Sequence, residues 1–262
     1  MSDLIYEPTQ VYNSAAGSSE PDPKAEDRSL RVLSYNIRHG AGTDERLDLE
    51  RTATAIKSLT PDLVGLQEVD SSVKRSGSVN QPKELGRLLG MNAAFGSFMD
   101  YDGGQYGLAV LSRFPIKSAH ALRLPEGNEP RVALIAEIAM PFGRRIALAN
   151  VHFDWVEDDR FRFAQASLLA KALARLNTPY ILLGDFNDEP GSRTLKLFQG
   201  MAVEAKKPAS NRLTFSSVKP EVEIDFIFAS PGSKWKVGEG KVIDLPVVSD
   251  HRPVLAELVL KR

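Results

Sequence analysis

Tyr180-Ile181-Leu182-Leu183-Gly184-Asp185-Phe186-Asn187 is a short apolar run that ends in a glycine and two polar groups. Four apolar residues bounded by Pro179 and Gly184 are too few for a helix and read as a buried strand. Gly184 gives the backbone room to turn, so the strand delivers Asp185 at its mouth. Asp185 and Asn187 stand at alternate positions and project to one side. An acidic turn of this composition is common as a plain connector; the apolar run before it places this one at the end of a sheet.

The same rhythm of apolar strand and polar tip recurs along the chain. Arg31–Ile37 carries Asn36, Leu63–Gln67 delivers Glu68, and Val222–Ala229 holds Asp225 between apolar neighbours. Arg131–Met140 and Arg145–Val151 form a pair around Pro141-Phe142-Gly143 and feed His152, while Ser249-Asp250-His251 precedes a last strand over Val254–Leu260. Helices are expected over 48–59, 81–89, 158–176 and 192–199, the clearest being 158–176, where Phe161, Ala164, Leu168, Leu169, Ala172 and Leu176 recur at helical spacing. Several strands join without an intervening helix, which favours antiparallel pairing and two stacked sheets over one doubly wound sheet. The polar tips come from both halves, so residues 30–262 read as one domain. Residues 1–29 read as a polar tail or arm, with Ile5, Tyr6, Val11 and Tyr12 before a flexible junction at Gly17–Pro23.

The chain has 262 residues and a formal charge of -1. Six acidic and two basic residues in the first 29 give -4 there and leave +3 for the rest, too little for the basic stripe of a general duplex binder. There is no cysteine, hence no thiolate metal site. No apolar run is long enough to cross a bilayer, so no stable membrane insertion is expected and the default location is cytoplasmic.

Glu68 is the best single metal-ligand candidate, because a carboxylate at a strand end is a hard oxygen donor for Mg2+ or Mn2+. Asn36 in an adjoining strand can orient it. Burial would raise the pKa of Asp225 unless a donor compensates, and His251 is the natural one. The four histidines, His39, His120, His152 and His251, show no close zinc spacing, and Ser249 lacks the strand-to-helix setting of a serine nucleophile. Oxygen-ligated Mg2+ is the more economical reading.

The ordered set Tyr35-Asn36, Gln67-Glu68, Tyr106-Gly107 with Leu111-Ser112-Arg113, Val151-His152, Gly184–Asn187, Ile224–Phe228 and Ser249–His251 resembles the endonuclease/exonuclease/phosphatase superfamily, in particular its small bacterial members. The resemblance spans about residues 30 to 260 and implies an α/β fold, a four-layer α/β-β-α sandwich of two packed mixed sheets flanked by helices. It implies a Mg2+-dependent phosphoric ester hydrolase, with Mn2+ as a substitute. Glu68, Asn36 and Asp250 would serve the metal, while Asp185 and Asn187 would orient the water and the scissile phosphate. His251, held by Asp225, would contact the phosphoryl group, and His152 would assist the leaving oxygen. Arg75 in Arg75-Ser76-Gly77 and Tyr106 are expected at the substrate, and Phe153 and Trp155 against an apolar leaving group. Glu223 departs from the basic residue often found at that place.

The substrate expected first is a small organic or lipid-headgroup phosphodiester. A sugar- or inositol-phosphate monoester comes next, then DNA, with a noncatalytic phospholigand-binding protein last. Nucleic acid is not required as a partner, and oligomeric state is not legible.

Overall fold

The structure is a computed structural model describing residues 4–14, 28–232 and 234–261; the junction at Gly17–Pro23 lies outside them. In chain order the strands are β1 (Tyr6–Glu7), β2 (Thr9–Tyr12), β3 (Arg28–Asn36), β4 (Leu63–Ser71), β5 (Asn92–Tyr101), β6 (Gly104–Ser112), β7 (Ile116–Arg123), β8 (Val132–Ala139), β9 (Arg145–His152), β10 (Tyr180–Asp185), β11 (Val203–Glu204), β12 (Asp225–Ala229), β13 (Trp235–Val242) and β14 (Val254–Leu260). The helices are α1 (Leu49–Ser58), α2 (Gln81–Leu89), α3 (Asp159–Leu173) and α4 (Arg193–Gln199). Each starts on a side chain that accepts a backbone N–H of its first turn, namely Asp48, Asn80, Asp158 and Ser192. Among the described residues no helix is long and apolar enough to cross a membrane.

One sheet runs β1-β7-β8-β9-β10-β12-β11 and the other β13-β14-β3-β4-β6-β5-β2. Each is mixed, with one parallel pair, β9 with β10 and β3 with β4, among antiparallel neighbours. The period of two sorts each strand between layers. Leu30 and Val32 of β3, Ile181 and Leu183 of β10 and Ile227 of β12 face the core between the sheets. Leu33 and Tyr35 pack with α1 and α2 outside one sheet, while Leu182, Phe226 and Phe228 pack with α3 and α4 outside the other. The result is the four-layer α/β-β-α sandwich expected from the resemblance.

That alternation also places the site. Continuing from Leu183 to Asp185, from Ile227 back to Asp225 and from Val32 through Ser34 to Asn36 keeps these groups on the inner faces, at one end of the sandwich. Gly65 lets the sheets approach, since a Cβ there would lie 2.0 Å from Leu183 Cδ1.

Several strands escape the sequence pattern. β5 is interrupted by Gly96, β7 mixes in Lys117, Ser118 and His120, and β13 is an edge strand with Gly238 and Gly240 and an irregular register. β12 begins at Asp225 and not at Val222, because Thr214 Oγ1 takes the N–H groups of Ile224 and Asp225 and holds the preceding residues as a loop. The N-terminal segment is an arm over residues 6–12. Its first strand pairs β7 and its second pairs β5, so it closes one edge of both sheets.

Candidate active site

Glu68 is aimed by a defect in its strand. On regular alternation it would face α1 and α2, but Leu66 pairs with Ala109 while Val69 already pairs with Gly107, so β4 carries an extra residue there. Glu68 takes φ +56°, a left-handed conformation that a non-glycine residue adopts at a cost. The bulge returns Val69 to the helix side and turns Glu68 toward β3. Buried Asn150 of the opposite sheet underpins it, donating from Nδ2 to Leu66 O at 2.8 Å and Ala109 O at 2.9 Å and accepting from Gln67 Nε2 at 2.7 Å. Asn150→Leu strips two buried carbonyls of their donor and is expected to destabilise the fold by about 2 to 4 kcal/mol in urea unfolding.

One atom lies at the centre of the site. Asn36 Nδ2 is 3.0 Å from Glu68 Oε1, 3.2 Å from Asp185 Oδ2 and 3.5 Å from His251 Nε2. Asn36 Oδ1 accepts from the Arg38 N–H at 3.1 Å, which sets the amide this way round. Asn36 Nδ2 therefore orients the Glu68 carboxylate. Ser249 Oγ donates to Asn36 O at 2.7 Å and stands 3.3 Å from Asp250 Oδ1, so half-buried Asp250 flanks the same corner.

Asp185 follows Gly184, whose φ of +146° and 2.1 Å approach of a built Cβ to Val151 O leave no room for a side chain. The Asp185 carboxylate is fully enclosed: Asn187 N donates to Oδ1 at 2.9 Å, and Nε2 of His152 and of His251 each stand 3.5 Å from Oδ2. Asn187 Nδ2 in turn donates to Phe153 O at 3.0 Å, so this residue pins the turn. His251 Nδ1 faces Asp225 Oδ2 at 3.0 Å, and Phe215 packs its ring 4.8 Å from the imidazole.

Burial opposes a charge on His251, but Asp225 and then Asp185 outweigh it and hold the imidazole above its ordinary range. Burial raises Asp185, with His251 pulling against it. His152 is held well below its usual value by burial, then by Arg131 and His251, so its contact with Asp185 is not an ion pair. Asp185 and His251 both bind protons more tightly folded than unfolded. Their stabilisation is full at low pH and is lost as pH rises past the ordinary aspartate value of 3.8 and the ordinary histidine value of 6.5. His152, held below its ordinary value, works in the opposite sense and offsets the Asp185 loss below 6.5, so the chelated protein is expected to show a falling urea midpoint from neutral to alkaline pH, where His251 acts alone, with that fall flattened in Asp225→Asn.

The donor set fits a divalent cation. Asp185, Asp225 and His251 each bring one ligating atom within 4.8 Å of the others, and Asp225 Oδ1 is buried without a hydrogen-bond partner. The Asn36 amide nitrogen lies between the Glu68 and Asp185 carboxylates, so two acids face each other across its two N–H groups.

A model of the endonuclease/exonuclease/phosphatase family matches residues 33–251. The chain belongs to this family. YbhP of Escherichia coli K12 is 28% identical over 247 residues, covering 88% of this chain and 97% of its own. An endonuclease/exonuclease/phosphatase family protein from Bacteroides thetaiotaomicron shares the fold at TM-score 0.75 and 23% identity, over 91% of this chain and 100% of its own. A mannosyl-6-phosphatase from the same organism aligns at TM-score 0.73 and 25% identity, over 88% of this chain and 100% of its own.

Within this family fold, three expected substrate contacts are engaged elsewhere. Arg75 is not an open phosphate clamp: it forms a two-pronged pair with buried Asp70 at 2.8 and 2.9 Å and lies over the rings of Tyr101 and Tyr106 at 4.5 and 4.7 Å. Tyr106 is buried, and burial together with the charge of Glu68 keeps its phenol protonated. Arg75 thus lies behind Tyr106. Phe153 is wholly buried against Phe186 and Phe198 in the outer core, whereas Trp155 is 58% exposed. Glu223 is answered from other elements, by buried Lys207 at 3.0 Å and by Arg212 at 3.1 Å. Arg131, which the sequence reading passed over, lies against His152. Its signal was a charge heading an apolar strand.

Proposed function

We propose that the chain hydrolyses a phosphodiester by an activated water in the presence of a divalent cation, with a small organic or lipid-headgroup diester as substrate. The observation that carries this reading is the convergence of Glu68, Asp185 and His251 on the Asn36 amide nitrogen, from three separate stretches of chain. Mg2+ is the proposed ion, with Mn2+ as substitute. Glu68, half-buried and oxygen-donating, would hold it beside Asp250, and Asp185, Asp225 and His251 are the other group of donors close enough together to take an ion. When bound, the ion supplies positive charge to the phosphoryl oxygens.

The chain's own groups supply the rest. Asp185, fixed by Asn187 N, accepts a hydrogen bond from the attacking water and orients it. His251, backed by Asp225, presents Nε2 to the phosphoryl group, and His152 presents Nε2 from the other side of Asp185. Water is a poor nucleophile and an alkoxide a poor leaving group, so each contact lowers a different part of one barrier.

Charge supports a diester over a more highly charged monoester. Arg38 is paired with Glu45, Arg75 with Asp70 and Arg131 with Glu129, so these three basic groups near the site are already neutralised. The second reading, a sugar-phosphate monoesterase, is favoured by the likeness to the mannosyl-6-phosphatase. Product analysis separates them. Simple diesters, phosphorylated sugars and inositols, and single- and double-stranded DNA are each incubated with Mg2+, Mn2+ or chelator, and Asp185→Ala serves as the contaminant control. Turnover of the diesters is expected to lead; preferred release of inorganic phosphate from monoesters would replace the first reading with the second.

A further inference from the structure

We propose that Arg131 is a positioning residue that fixes His152 in the tautomer with its hydrogen on Nε2, so that His152 meets the substrate as a hydrogen-bond donor. The inference rests on the phosphoesterase reading only for the identity of the acceptor, a substrate oxygen.

The register that pairs Ala133 with Val151 brings the head of β8 beside the end of β9, and with it Arg131 beside His152. The Arg131 side chain is 2% exposed and held on three sides. Nη2 donates to Glu129 Oε2 at 2.8 Å, the guanidinium carbon lies 4.9 Å from the centre of the Phe98 ring, and Nη1 stands 3.3 Å from His152 Nδ1. A guanidinium carries N–H groups on every nitrogen and accepts nothing. The imidazole nitrogen facing it must therefore be the acceptor, and the ring's hydrogen lies on Nε2, 3.5 Å from Asp185 Oδ2 and turned toward the mouth.

His251 is wired differently. Its Nδ1 donates to the Asp225 carboxylate and its Nε2 stands beside Asn36 and Asp185, so two acids face this ring where a cation faces His152. The two imidazoles beside Asp185 are thus not interchangeable: one is fixed as a donor by a cation, the other is backed by an acid.

The test is long-range 1H–15N correlation of the histidine rings in the metal-free, 15N-labelled protein, with His152 assigned from His152→Gln. Wild type is expected to show hydrogen on Nε2 and a bare Nδ1. Arg131→Met should let the other tautomer appear and lower kcat about tenfold or more while KM stays within about twofold, and Arg131→Lys should recover part of both. A wild-type His152 with hydrogen on Nδ1 overturns the proposal, as does Arg131→Met with unchanged tautomer and kcat. Should Arg131→Met fail to fold, the wild-type and Arg131→Lys spectra decide. An intact Nε2–H pattern without turnover of any phosphate ester sustains the role of Arg131 and counts against the phosphoesterase reading instead.

Discussion

Glu68→Gly is expected to abolish turnover while leaving the fold at least as stable as wild type. The carboxylate sits at φ +56°, where a side chain costs on the order of 1 to 2 kcal/mol that glycine does not incur. Glycine's greater freedom in the unfolded chain takes back roughly 0.5 to 1 kcal/mol, and loss of the Asn36 contact is softened because the same nitrogen keeps Asp185 at 3.2 Å. Activity has no such compensation, since the group that would hold the cation is gone; a fall in kcat/KM of about a thousandfold or more is expected at saturating Mg2+. Urea midpoints taken in chelator, set beside turnover, read both effects on one variant. A strained residue that costs stability and supplies chemistry is the pattern of a functional bulge.

Asp185→Asn is expected to lower kcat by about a thousand- to ten-thousandfold without unfolding the protein. The amide keeps the shape of the side chain and an oxygen for the Asn187 N–H, so the turn after β10 survives, while its NH2 meets the Asn36 and His152 donors where Oδ2 stood, at a cost of about 1 to 3 kcal/mol. It removes the charge that polarises the water, and one of the two carboxylates that keep His251 protonated. Single-turnover rates and the His251 ring shifts measured on the same sample register the two losses separately.

The site was legible in the sequence where it obeys strand alternation. Leu183 and Asp185, Ile227 and Asp225, and Asn150 and His152 differ by two positions, so finding the core side of each strand finds its polar tip. Glu68 was legible as a strand-end acid, but its direction was not, because the bulge that aims it breaks the period and depends on Asn150, hidden in the run Arg145–His152. The surroundings of Arg75 were hidden for a related reason. A loop arginine looks free in sequence, and its partners Asp70, Tyr101 and Tyr106 meet only when β4, β5 and β6 are paired. Edge and interrupted strands such as β1, β7 and β13 carry weak patterns because their neighbours, not their own residues, complete them.

The central claim is that Glu68, Asp185 and His251 form one cation-dependent phosphoesterase centre. Turnover of a broad phosphate-ester panel by purified wild type before chelation, after chelation and after return of Mg2+ tests it most directly, with Asp185→Asn carried in parallel. The claim predicts activity that vanishes with chelator, returns with the ion and is lacking in the variant. Turnover that is indifferent to chelator, or equal in the variant, or missing from wild type on every ester, contradicts it.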